Sequence, residues 1–96
     1  MNGGAGLDIL RGGSGDDTLN GDAGNDLLDG AGGADTLNGG ADADLLTGGT
    51  GVDKLSGADG NDHLDVKDGA PNDRADGGAG RDTVSRDSGD TVIGVP

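Results

Sequence analysis

The chain has 96 residues, a net charge of −13, no cysteine and no aromatic residue, and all 19 of its acidic residues are aspartate. That charge repels nucleic-acid phosphates and anionic membrane surfaces and attracts cations, so neither nucleic acid nor membrane is an expected partner. Only 29% of the residues are hydrophobic and 24 are glycine, so apolar burial falls short of the entropy of ordering, and with no disulfide available another source of free energy is needed.

No apolar h-region follows Met1-Asn2-Gly3, and no run reaches membrane-spanning length. From Gly3 the chain divides into nine-residue units: GGAGLDILR, GGSGDDTLN, GDAGNDLLD, GAGGADTLN, GGADADLLT, GGTGVDKLS and GADGNDHLD, ending at Asp65. Position 1 is always glycine. Position 6 is always aspartate: Asp8, Asp17, Asp26, Asp35, Asp44, Asp53 and Asp62. Position 8 is always leucine: Leu10, Leu19, Leu28, Leu37, Leu46, Leu55 and Leu64. Asn2 matches position 9 of a preceding unit, so the chain reads as part of something longer.

Positions 7–9 predict a three-residue strand whose middle side chain points inward, while position 7 varies freely as an outward position should. Positions 1–6 must turn the chain, where glycine permits positive φ and close backbone approach. Asp22, Ala31 and Ala58 replace glycine at position 2, where the backbone demand is expected to be looser. Asp42 replaces it at position 4, in a turn that should survive because aspartate tolerates left-handed backbone. Strand and turn alternating at a fixed period make a solenoid.

After Asp65 the register breaks. Val66-Lys67 reads as a two-residue insertion, and Leu64 with Val66 suggests one longer strand. DGAPNDRAD (68–76) is a degraded repeat, with Pro71 at position 4, Asp73 at position 6 and Ala75 where leucine belongs. GGAGRDTVS (77–85) is a further copy with Asp82 and Val84 in the key places, and the remainder reads as turn and strand with Val92 and Ile93 apolar. Residues 1–65 are thus the repeat region, and 66–96 an irregular C-terminal cap of the same domain.

The nonapeptide G-G-x-G-x-D-x-U-x resembles the RTX, or haemolysin-type, calcium-binding repeat. The resemblance covers residues 3–65 in unbroken register and implies an all-β fold, a right-handed parallel β-roll (β-solenoid) with two nonapeptides per turn. Stacked turns then align Asp8, Asp26, Asp44 and Asp62 in one column and Asp17, Asp35 and Asp53 in the other. Carboxylates about 5 Å apart repel unless a hard divalent cation lies between them. The resemblance implies Ca2+ held by these aspartates and by backbone carbonyls of the turns. For positions 1 and 3 these are Gly3, Ala5, Gly12, Ser14, Gly21, Ala23, Gly30, Gly32, Gly39, Ala41, Gly48 and Thr50; carbonyls of positions 2 and 4 complete each site from the next turn. Five inter-turn gaps give about five ions, and pairing of Asp62 with Asp82 or Asp53 with Asp73 raises this to about seven.

Competing chemistry finds no support in the residues. An EF-hand needs a glutamate that the chain lacks. Gly3–Gly6 follows no buried strand and so makes no phosphate loop. Ser14, Ser56, Ser85 and Ser88 have no histidine base, since His63, the one histidine, sits at outward position 7. Arg74, Arg81 and Arg86 read as solvated or salt-bridging, and Asp29, Asp59, Asp65, Asp68 and Asp76 as acidic surface. The expectation is a non-catalytic, monomeric calcium module, covalently part of a larger secreted bacterial protein such as a toxin or hydrolase and located outside the cell or on its surface. The alternative is a calcium-stiffened structural or adhesive spacer of a cell-surface protein.

Overall fold

The computed structural model describes residues 2–66, 73–85 and 91–93. Its strands are β1 (Ile9–Arg11), β2 (Thr18–Asn20), β3 (Leu27–Asp29), β4 (Thr36–Gly40), β5 (Leu45–Thr47), β6 (Lys54–Ala58), β7 (His63–Asp65), β8 (Arg74–Asp76), β9 (Thr83–Ser85) and β10 (Thr91–Ile93). Strands β1 to β9 fall where positions 7–9 of the repeat put them, with β4 and β6 running two residues further, and β10 is the strand expected in the C-terminal remainder.

Odd and even strands separate into two parallel sheets, ordered β1-β3-β5-β7-β9 and β2-β4-β6-β8-β10. Each pairing joins a strand to the next but one in sequence, so two nonapeptides complete one turn of a β-roll. The register stacks like on like. Leu10 pairs with Leu28, Leu28 with Leu46, Leu46 with Leu64 and Leu64 with Val84. On the other sheet Leu19 pairs with Leu37, Leu37 with Leu55, Leu55 with Ala75 and Ala75 with Val92.

These residues, with Val66, form the core; Leu19, Leu28, Leu37, Leu46, Leu64 and Ala75 are wholly buried, and Val84 and Val92 are partly so. The slab measures 12 Å along its shortest axis, close to the ~10 Å that separates two packed sheets. One layer of leucine is all that fits between them. A repeat by itself would leave its leucine in water, so the turns must stack.

The two-residue insertion is visible as a change of step: Asp53 and Asp62 reach Asp73 and Asp82, twenty positions on instead of eighteen. Strand β7 ends at Asp65 rather than continuing through Val66. Val66 nevertheless enters the core, its N–H donating to the Ser85 carbonyl at 2.9 Å. Asp68, Pro71, Arg86 and Ser88 lie outside the described residues.

The turns correct one expectation. Position 2 is not conformationally looser: Asp22, Ala31 and Ala58 have φ of 66°, 69° and 66°, the same left-handed region that Gly4, Gly13 and Gly49 occupy. Asp42, at position 4, has φ 73°. The stacked geometry imposes positive φ on both positions, and side chains there are strained rather than tolerated freely. Asp22 and Asp42 recover part of this. The Gly4 N–H donates to Asp22 Oδ2 and the Gly24 N–H to Asp42 Oδ2, each at 3.1 Å across one turn.

Candidate metal centre

Position 6 is the last residue before each strand, so strand pairing fixes its backbone and its side chain folds back into the turn. There it lies against the position 1 glycine of its own repeat. A Cβ on Gly30 would come within 2.5 Å of Asp35 Oδ2 and 2.7 Å of the Gly48 carbonyl oxygen, which belongs to the next turn. On Gly21 it would meet Asp26 Oδ2 at 2.5 Å and the Gly39 carbonyl at 2.7 Å. Position 1 is therefore glycine because the carboxylate and the next turn's backbone converge on it, not because its φ is positive.

From Asp26 in one column and Asp35 in the other, each aspartate links two turns by its other oxygen. In one column the N–H groups of Asp8, Asp26, Asp44 and Asp62 donate to Oδ1 of Asp26, Asp44, Asp62 and Asp82, all at 2.8 Å. In the second, the N–H groups of Asp17, Asp35 and Asp53 donate to Oδ1 of Asp35, Asp53 and Asp73 at 2.8, 2.9 and 2.7 Å. Both columns run through the C-terminal repeats: Asp73 is 1% exposed and Asp82 8%.

The second carboxylate oxygens have no such use. Oδ2 of Asp8, Asp17, Asp26, Asp35, Asp44, Asp62 and Asp82 is buried and accepts no hydrogen bond. An unsatisfied buried carboxylate oxygen is costly, and here the same deficit recurs at each turn. Among the described residues no three His, Cys, Asp or Glu side chains converge. A ligand for these oxygens must accept few side chains and complete its shell with carbonyls, as a hard oxygen-seeking divalent cation does.

The electrostatics agree. Burial pushes the Asp44 carboxyl up to about 6 and that of Asp62 up to about 7; the N–H each accepts from the turn below opposes the rise, and neighbouring aspartates add to it. The Asp35 carboxyl is raised for the same first reason, with Asp17, Asp16 and Asp29 nearby. Positive charge placed beside these groups would reverse the shift.

The RTX calcium-binding nonapeptide repeat (4 copies) matches this chain at residues 2–37, 29–64 and 65–93. The chain belongs to the RTX calcium-binding repeat family. No curated protein and no solved structure matched it.

An RTX repeat binds Ca2+ within a β-roll and is not itself a catalytic unit. The donor set fits such an ion: each column brings carboxylates from successive turns together, beside the turn backbone of positions 1 to 4. The position 2 carbonyls of Gly13, Asp22, Ala31, Gly40 and Ala58 already accept an N–H from position 3 of the next turn. Each keeps its second lone pair.

Sequence reasoning missed the roles of position 9 and position 5. Asp29 is more than acidic surface: its Oδ1 accepts the Ala31 N–H at 3.0 Å and its Oδ2 pairs with Arg11 at 3.5 Å. Asp76 likewise accepts the Gly78 N–H at 3.1 Å, and Asn20 that of Asp22 at 3.3 Å. These are Asx turns that launch the left-handed position 2. At position 5, Asp16, Asn25 and Asn61 accept the N–H of Ala34, Ala43 and Arg81 one turn above. The recurrence of Asp and Asn at both positions was the available signal.

Proposed function

We propose that this chain is a calcium-dependent folding module of an exported protein, ordered by ions held between successive turns. The observation that carries this is the recurring buried Oδ2 without a hydrogen-bond partner. The residues that would hold the ions are the position 6 aspartates of both columns. With them act the backbone carbonyls of Gly3, Ala5, Gly12, Ser14, Gly21, Ala23, Gly30, Gly32, Gly39, Ala41, Gly48 and Thr50, and the carbonyls of positions 2 and 4 in the adjacent turn. A bound divalent cation supplies charge neutralisation and coordination to oxygens that otherwise repel across the ~4.8 Å between strands.

The chain supplies the rest. Asp Oδ1 fixes the turn spacing through the N–H below it, the position 1 glycines leave room for the carboxylate, and the leucines close the core once the turns stack. Residues 66–96 act as the C-terminal cap, and Asp73 and Asp82 extend both columns into it. At the low calcium of a cytosol the aspartate columns would repel and the chain would stay unfolded. At the 10⁻⁴–10⁻³ M affinities typical of extracellular calcium modules, roughly, it would order after export.

Titration calorimetry tests the count. The seven regular repeats contain five inter-turn gaps, and Asp73 and Asp82 add two, so about five to seven ions are expected. A saturated stoichiometry of two or fewer would contradict the proposal.

A further inference from the structure

Two repeats carry a chemically fragile dipeptide across positions 9 and 1, where strand gives way to turn. Position 1 must be glycine, because a Cβ on Gly21 would collide with Asp26 Oδ2 and the Gly39 carbonyl. Position 9 favours a short acceptor such as Asn20, whose Oδ1 takes the Asp22 N–H. The two demands meet as Asn20-Gly21, and Asn38-Gly39 follows on the paired strand. Asn-Gly is the sequence in which the following backbone nitrogen reaches the side-chain amide with least hindrance.

We infer that Asn20 and Asn38 are deamidation sites protected by the folded β-roll and opened whenever it unfolds. The Gly21 nitrogen attacks Asn20 Cγ, the Cγ–Nδ2 bond breaks, and ammonia leaves carrying the proton lost from that nitrogen. Water then opens the resulting succinimide to aspartate or isoaspartate. The net change is one water consumed and one ammonia released, with no redox step.

Three features of the fold oppose ring closure. The attacking N–H is already donated: Gly21 N bonds the Asn38 carbonyl at 2.8 Å, and Gly21 is buried. The Asn20 carbonyl, whose peptide must rotate, accepts the Gly3 N–H at 2.8 Å. Asn20 and Asn38 are also paired in β2 and β4, which holds ψ near the parallel-strand value of about +115°, whereas cyclisation must swing the glycine nitrogen round onto Cγ. An unfolded chain loses all three restraints. The product would carry a new negative charge, and as isoaspartate an extra backbone methylene, inside a register that repeats every eighteen residues.

The protection rests on the fold alone; only its control by calcium rests on the function proposed above. The whole chain is incubated at mildly alkaline pH in millimolar calcium, in chelator, and in calcium with denaturing urea. Circular dichroism is recorded in each, and peptide mass spectrometry scores amide-to-carboxylate conversion at every asparagine. Asn20 and Asn38 are expected to convert at least roughly tenfold more slowly in calcium than in urea, as even modest protection against local opening gives. Asn25 and Asn61, followed by aspartate, should change little in any arm and serve as internal references. Equal rates at Asn20 and Asn38 in the calcium-folded chain and in urea would overturn the inference. A folded spectrum in chelator would instead contradict the calcium reading, while the comparison of calcium with urea would still decide the question of protection.

Discussion

The regular turns of residues 3–65 and the described C-terminal turns, 73–85 and 91–93, are built on one plan but filled differently. The regular turns place a buried leucine at every position 8. The later ones place Ala75, Val84 and Val92 there, and the two valines are only partly buried. The aspartates do not thin out in the same way: Asp73 and Asp82 are buried and accept the N–H groups of Asp53 and Asp62 at 2.7 and 2.8 Å. Core volume can fall while the carboxylate columns continue. What the two regions share is the link made in the turns, and that link should matter more to stacking than the core does.

Substitutions in the regular turns should break this comparison most severely at the columns. Asp35→Ala removes the acceptor of the Asp17 N–H and a carboxylate shared by two inter-turn gaps, so calorimetry should find about two fewer ions. The calcium-induced β signal should fall with them. Leu37→Ala, at a wholly buried site, should cost about 2–5 kcal/mol in urea unfolding with calcium present. Val84→Ala, half-buried in the later region, should cost less than half of that. If Leu37→Ala proved more damaging to ion binding than Asp35→Ala, the primacy of the columns would be lost.

Acid should separate the contributions of ion and fold. The raised carboxyls of Asp44 and Asp62, at about 6 and 7, bind protons in the folded chain that the unfolded chain, at 3.8, does not. Without calcium, that stabilisation is complete below about pH 4 and is lost as pH rises through 6 to 7. With calcium the dependence should invert, because protons compete for the same oxygens. Circular dichroism against pH, in chelator and in calcium, would show the two trends; parallel curves would argue against shared oxygens. The smallest effect is expected from Asp29→Ala, which loses an Asx turn and an exposed ion pair. It should lower stability by about 0.5–1 kcal/mol and leave the ion count unchanged.

Much of this architecture was legible in the sequence because one residue type does one job per repeat. Leucine at position 8 and aspartate at position 6 recur without exception from Leu10 to Leu64 and Asp8 to Asp62, and that fixed the strands, the core and both columns. Glycine was harder to interpret. Its presence at position 1 answers to a carboxylate folded against it, a three-dimensional contact, whereas at positions 2 and 4 it answers to φ. Ala31 and Ala58 suggested tolerance at position 2, yet the structure holds both at positive φ. The Asx turns of Asn20 and Asp29 and the cross-turn bonds of Asp22 and Asp42 involve side chains that look like charge or variability in a linear reading.

The central claim is that this chain folds because cations bind it. Far-ultraviolet circular dichroism in excess chelator and through a calcium titration tests it most directly. The account predicts a disordered spectrum in chelator and a cooperative gain of β structure at millimolar calcium. Magnesium should substitute poorly, because it demands near-octahedral geometry and sheds water reluctantly. The same β spectrum in chelator as in calcium would contradict it.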